Sequence, residues 1–326
     1  MASKTERAAA LPSWEEPQLA TLTQERFSDP EWIYERKLDG ERCLAFCGPG
    51  GVSLKSRSQH DITTTFPEVA AALAAQRHGD MVLDGEVVAF DGPQTRFERL
   101  QQRLGLASPP QRLLEDIPVF YYLFDVLYAD GHDTRALPLT ERKRLLAGLV
   151  DFRDPLRFTE DRAGNGEPYW EQACKDGWEG LIAKRADAPY LAGRTKNWLK
   201  FKCENAQEFV IGGYTDPQRS RVGFGALLLG YYDAGGDLVY AGKVGTGFDT
   251  RTLEHLHAVL ARLERETAPF TKGHLPSPRG VHWVTPRLVG QVAFSEWTDD
   301  GELRHPRFQG LRDDKEPRDV VREVPS

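Results

Sequence analysis

Four short segments, three of them with an acid beside glycine, set ionisable side chains in patterns that suit phosphate chemistry. The first is Glu35-Arg-Lys37-Leu-Asp39-Gly40-Glu-Arg42. A lysine at a strand end, followed by Asp-Gly, can act as a nucleophile once it loses its proton, and nearby cations lower the pKa that governs that loss. The second is Asp84-Gly85-Glu86 within the apolar run Met81 to Phe90, where an unpaired carboxylate is costly to bury. The third is Glu179-Gly180-Leu-Ile-Ala-Lys184. Two such acids suit a Mg²⁺ ion beside phosphates. The fourth is Trp198-Leu-Lys200-Phe-Lys202, where strand alternation sends Trp198 and both lysines to one face and Leu199 and Phe201 to the core. Taken singly, each has an ordinary reading: a charged turn, a salt-bridged structural acid or a half-exposed edge strand.

The surrounding pattern predicts the elements that position them. Arg42 to Cys47 and Val52 to Arg57 flank a Gly-Pro-Gly-Gly turn and read as a hairpin. Met81 to Phe90 and Val119 to Tyr128 read as strands; Glu68 to Arg77 and Arg96 to Leu104 read as helices. Thr140 is expected to cap a helix running to Leu149. After Cys203 the chain turns to short strands, 209–214, 225–232, 238–244, 281–284 and 288–298, with one amphipathic helix over 250–266. That texture predicts a small barrel of the OB type. The fold class expected is α+β, with antiparallel sheets and flanking helices in the first domain. The boundaries expected are a loose tail over 1–15, a first domain over 16–204, a barrel domain over 205–316 and an irregular tail over 317–326.

Composition narrows the class. The 326 residues are 40% hydrophobic and 28% charged, too long for one ordinary core and suited to two domains. No run approaches the roughly 20 apolar residues of a membrane span, and the N-terminus lacks the apolar core of a signal peptide, so a cytoplasmic protein is expected. Cys43, Cys47, Cys174 and Cys203 show no zinc spacing and read as buried free thiols, and His255 and His257 point to different helix faces. A net charge of −7 excludes nucleic-acid binding by bulk charge. A local basic face remains: Lys184, Arg185, Arg194, Lys196, Lys200 and Lys202 face one acid, Asp187, and alternate with Tyr190, Trp198 and Phe201.

Together and in this order, the segments resemble the covalent nucleotidyltransferases: DNA ligases, RNA ligases and mRNA capping enzymes. KLDGER resembles their nucleophile motif, Ser56-Arg57-Ser58 the next, LDGEVVAF the third, and YLFDVLY the segment whose aromatic stacks on the base; EGLIAKR and WLKFK complete the set. The string QVAFSEWTDDGELRHPRFQGLRDDK, ending at Lys315, is similar to bacterial ATP-dependent ligases of the ligase D and ligase C type. The resemblance runs from about residue 15 to 315. It departs from ligase D in leaving no room for the polymerase or nuclease modules, and from eukaryotic replicative ligases in lacking a large N-terminal helical domain.

The resemblance implies an ATP-dependent DNA ligase working through lysyl-AMP at Lys37. It implies that Glu35 sits near the adenine edge, Phe124 stacks on the ring, Arg42 and Glu86 meet the ribose, and Arg57 meets the sugar or the nick phosphate. Lys200 and Lys202 would hold the α-phosphate, helped by Lys184 and Arg194. Glu86 and Glu179, with Asp39, would place Mg²⁺ or Mn²⁺. Arg312, Asp314 and Lys315 would orient pyrophosphate and then swing away about a hinge near 204. The partner implied is nicked or broken double-stranded DNA, near the nucleoid and without a membrane, bound by a monomer. An end-binding protein or a separate repair polymerase would work beside it. Two other classes fit parts of the pattern: an RNA ligase or capping enzyme, and a degenerate member that holds DNA ends without chemistry. Arg219 and Arg221 are candidates for DNA backbone contacts. Because phosphate contacts release counterions, affinity for nicked DNA should fall steeply between about 50 and 200 mM salt. Fluorescence anisotropy checks this, and a flat salt response would point to another substrate.

Overall fold

The computed structural model describes residues 10–77, 79–217 and 221–324. It divides after Cys203 into two compact units.

The first unit is built on two sheets. One orders the strands Gln18–Leu22, Gly193–Lys202, Gly180–Arg185, Trp32–Arg36 and Asp161–Ala163. The other runs Gly51–Ser56, Glu41–Gly48, Met81–Asp91, Val119–Ala129 and His132–Asp133. Pairing is antiparallel except where Gln18–Leu22 meets Gly193–Lys202 and Leu156–Phe158 meets Val119–Ala129. The expected hairpin is present with its turn at Gly48–Gly51. The sheets meet through Leu44, Phe46, Phe124, Tyr190 and Trp198. Apolar alternation explains why both faces of the second sheet are buried: its other face packs Cys43, Ala45, Leu83, Val87, Tyr121 and Leu123 against the helix Pro67–Ala74.

Several expectations need correction. Thr140 does not cap its helix; Leu139–Leu149 begins after Pro138, whose fixed φ suits a helix start without a side-chain cap. The helices Gln111–Asp116 and Gly166–Lys175 were not anticipated. Residues 10–15 are not a loose tail: Leu11 and Trp14 pack on the inter-sheet cluster and Glu15 pairs with Arg135. Cys174 and Cys203 are not free thiols. The helix Gly166–Lys175 brings Cys174 to Cys203, with a Cα–Cα distance of 5.4 Å, and the two are disulfide-bonded. Cys43 and Cys47 are buried and free, as read.

The second unit is a curled sheet, ordered Leu238–Val244, Leu227–Tyr232, Asn205–Thr215, Val281–Phe294 and Glu264–Arg265, with Arg307–Leu311 also on Val281–Phe294. The two strands expected over 281–298 are one 14-residue strand through Phe294. The helix Thr250–Ala261 is capped by Asp249, whose carboxylate accepts from the Thr252 amide, and buries Leu253, Leu256 and Leu260. The segment after 316 is not an irregular tail: Val320 is buried and its carbonyl accepts from the Tyr232 amide. Among the described residues no helix is long and apolar enough to cross a membrane.

Arg142, fully buried, joins Asp125 by two hydrogen bonds of 2.7 and 2.9 Å and donates to the Leu137 and Ala188 carbonyls. Burial pushes the Asp125 carboxyl up and Arg142 offsets only part of that, so the pair specifies this joint more than it adds net stability. Breaking it is a different matter. Arg142→Met should cost about 3–5 kcal/mol by leaving a buried carboxylate unpaired. Arg142→Met with Asp125→Leu should recover most of that loss. Urea midpoints at constant slope check both.

Candidate active site

Lys37 leaves the Trp32–Arg36 strand and is docked by its own amide, which donates to the Gly180 carbonyl at 2.9 Å. On the other side Gly180 pairs with Lys202. One glycine therefore stands between Lys37 and Lys202, with Glu179 beside it. Gly180 has φ +144°, and a Cβ there would meet the Phe201 carbonyl at 2.0 Å. A Cβ on Gly40 would meet the Val87 carbonyl at 2.3 Å, so the Gly of this Asp-Gly is required where the chain enters the second sheet beside the Met81–Asp91 strand.

Strand register sets the rest of the face. Glu35, Ile182 and Lys200 form one row, and Ile33, Lys184 and Trp198 the next. Alternation sends these side chains to one side and Tyr34, Leu181, Ala183 and Phe201 to the other, where they form a small core. From the opposite sheet Phe124 meets this face. Its ring centroid lies 6.0 Å from that of Trp198, 4.2 Å from Lys184 Nζ and 4.7 Å from the Arg42 guanidinium.

Lys37 Nζ lies 2.5 Å from Glu179 Oε2. Burial pulls the lysine pKa down, but Glu179, then Asp39 and Glu86, outweigh it and leave it above the usual lysine range. The expectation that neighbouring cations lower it is corrected: carboxylates dominate around this amine, and it is held as ammonium. Of these acids, Glu179 is in direct contact with the amine, while Asp39 and Glu86 act on it through their charge. The Asp39 carboxylate accepts from the Phe97 amide at 3.2 Å and its own amide donates to Thr95 Oγ1 at 3.1 Å, so it also anchors the loop. Among the described residues no three Asp, Glu, His or Cys side chains converge as a ready metal cage.

Other candidates fall in different places. Arg42 is committed to Asp84 through Nε at 2.5 Å and Nη2 at 2.6 Å, and Asp84 also accepts from the Tyr190 hydroxyl at 2.6 Å. Glu86 is paired in register with Arg42. Arg57 and Ser58 occupy the turn after the Gly51–Ser56 strand. Lys184, one row from Lys200, is paired with Glu35. Buried at 1% exposure, its Nζ lies 2.5 Å from Glu35 Oε2. Arg194 is exposed at the far end of its strand, past a register shift, and donates to the Ala20 carbonyl. In the second unit Arg312 holds Asp314 with bonds of 2.8 and 2.7 Å, and Lys315 lies 3.4 Å from Glu208. Burial pushes the Asp314 carboxyl up, but Arg312 outweighs it and leaves it below the usual range. Arg221 donates to the Gly245 carbonyl within its own unit, and Arg219 lies outside the described residues.

Two residues were missed from sequence: Lys143, which reaches Glu35 Oε1 at 2.6 Å, and Glu208; Tyr190, read only as an aromatic of the basic face, braces Asp84. For Lys143 a signal exists. It sits four residues after Leu139 and three before Leu146, in the apolar stripe of its helix.

Comparison with known proteins bears on this arrangement. Residues 17–202 match the ATP dependent DNA ligase domain, and residues 220–315 match the ATP dependent DNA ligase C terminal region. The multifunctional non-homologous end joining protein LigD of Pseudomonas aeruginosa is 38% identical over 324 residues, 97% of this chain and 37% of that protein. The corresponding repair protein LigD of Mycobacterium tuberculosis is 38% identical over 315 residues, 94% of this chain and 40% of that protein. The chain thus spans about two fifths of these relatives' length. A mycobacterial DNA ligase D solved with ATP and MES superposes with a TM-score of 0.66 at 36% identity, covering 94% of this chain and 98% of that one. An adenylation-type domain followed by an OB-type domain is therefore the shared fold, and this chain belongs to the ATP-dependent DNA ligase family.

Proposed function

We propose that this protein seals 5′-phosphate/3′-hydroxyl breaks in DNA through AMP carried on Lys37. The observation that carries the reading is the docking of Lys37 on Gly180 between Glu179 and Lys202, in a chain of this family. In the first transfer the Lys37 amine attacks the α-phosphate of ATP and pyrophosphate leaves. In the second the AMP passes to a 5′-phosphate. In the third the 3′-hydroxyl attacks that phosphate and AMP leaves. Such transfers need positioning and charge neutralisation more than covalent help.

Each residue has a role in this reading. Phe124 stacks on adenine and Glu35 accepts from its amine. Lys200 and Lys202 neutralise the α-phosphate. Glu86 faces the ribose, and Arg42, held by Asp84, shapes that wall. Arg57 lies toward the sugar or the nick phosphate. Arg312, Asp314 and Lys315 act on pyrophosphate in the first step, and motion near residue 204 then admits DNA. Glu86 and Glu179 fit a Mg²⁺ or Mn²⁺ ion completed by phosphate oxygens, the usual way such hard cations are held beside a nucleotide. Bound there, it would neutralise phosphate charge. Asp39, engaged with the Phe97 amide, is the weaker ligand of the three. The likeness to LigD proteins supports a place in end-joining repair, on chromosomal DNA in the cytoplasm, beside an end-binding protein or polymerase.

Three experiments test this. Lys37→Ala should fail to seal a 5′-phosphorylated nick with ATP, yet still seal a nick that already carries 5′-adenylate, because the third transfer does not use the amine. Sealing of the phosphorylated nick would overturn the assignment. The wild-type rate of adenylylation should rise with pH, since the raised lysine pKa keeps the amine protonated below it. Glu179→Gln removes the largest charge holding that proton, so the Lys37 pKa should fall. Competitive acetylation of the free enzyme across pH measures it, and an unchanged or higher value would contradict the electrostatic account.

A further inference from the structure

Lys143 is buried beneath the base side of the site. Its ammonium has three N–H bonds and three acceptors: Glu35 Oε1 at 2.6 Å, the Thr159 carbonyl at 2.9 Å and Asp161 Oδ1 at 3.2 Å. No donor is left over for a ligand. Glu35 Oε2 is taken by Lys184 at 2.5 Å, and Lys184 Nζ lies 4.2 Å from the Phe124 ring and 4.1 Å from the Trp198 ring. Each carboxylate oxygen of Glu35 is thus fixed by one lysine. A carboxylate has roughly four lone-pair directions, and the two lysines engage two of them.

We propose that Lys143 is a positioning residue that sets base selectivity by holding Glu35 as a pure hydrogen-bond acceptor toward the nucleotide base. The inference rests on the reading of Glu35 and Phe124 as the base subsite. Adenine presents an amine at its 6-position, which donates to a carboxylate. Hypoxanthine and guanine present a carbonyl there, which meets the carboxylate oxygen unpaired and repelled. A protonated Glu35 would donate as well as accept, and the distinction would blur. Burial pushes Glu35 toward that state, and the two lysines reverse it, leaving the carboxyl below its usual range.

The lysines are unequal. Burial pulls the Lys184 ammonium below the usual lysine range, and Glu35 with Asp125 only partly restores it. Lys143 suffers burial too, but Glu35 and Asp161 outweigh it and hold it above that range. Lys143, braced by Asp161 from behind, is the firmer of the two charges facing Glu35.

The test is self-adenylylation with ATP against inosine triphosphate. Lys143→Met should raise the KM for ATP about tenfold and cut the preference for ATP about tenfold, the size of one charged hydrogen bond. kcat at saturating ATP should stay within about threefold, since the interaction bears on binding. Lys143→Arg should restore most of the preference. With Glu35→Gln already present, Lys143→Met should cost little more selectivity, because the two act as one unit. Asp161→Asn, at a more exposed position, should move selectivity in the same direction and serves if Lys143→Met does not fold. Unchanged selectivity in Lys143→Met or Asp161→Asn, or a fully additive double variant, would overturn the proposal. Failure of the wild-type protein to take up AMP would instead defeat the ligase reading.

Discussion

Lys37 cannot act as a nucleophile while its ammonium is held against Glu179, and much of the first unit is arranged around that contact. The ion pair needs Glu179 and Lys37 at one point although 142 positions separate them in sequence. The Lys37 amide on the Gly180 carbonyl supplies the closure, and the close passage of Phe201 behind Gly180 leaves room for no other residue. The same glycine aligns Lys202, so Lys37, Glu179 and Lys202 share one backbone joint. A resting enzyme with its amine protonated is protected from idle reaction.

Charge is distributed in layers behind this point. Arg42–Asp84–Tyr190 and Arg142–Asp125 are interior ties that fix the two sheets and the Leu139–Leu149 helix. Lys143–Glu35–Lys184 lies one row from the nucleophile and gives the base side a fixed polarity. Buried ion pairs add little net stability but penalise any other arrangement of their partners. Under the proposed reaction, a site that holds one nucleotide through three transfers gains from that rigidity.

Much of this was legible in the sequence, and for identifiable reasons. Strand alternation in Trp198–Lys202 separates the lysines from Phe201, and the structure keeps that separation because the Tyr34 core claims Phe201. The Ala45–Leu54 hairpin follows from its glycine turn. What pairs across long distances was not legible. Nothing local tells that Lys184 turns to Glu35, that Arg42 is spent on Asp84, or that Cys174 meets Cys203. The sign of the Lys37 shift depends on which charges lie nearest in space, and Glu179, the largest of them, is nearly as remote in sequence as Lys200 and Lys202. Lys143 was hidden in a run of helix cations, although its place in the apolar stripe marks it.

The central claim is that Lys37 carries AMP. Intact mass spectrometry of the purified protein, before and after incubation with ATP, tests it most directly. The account predicts a gain of one adenylyl group, removed by pyrophosphate and traced by peptide mapping to Lys37. A protein that gains no mass, or that carries the group on another residue, would contradict it.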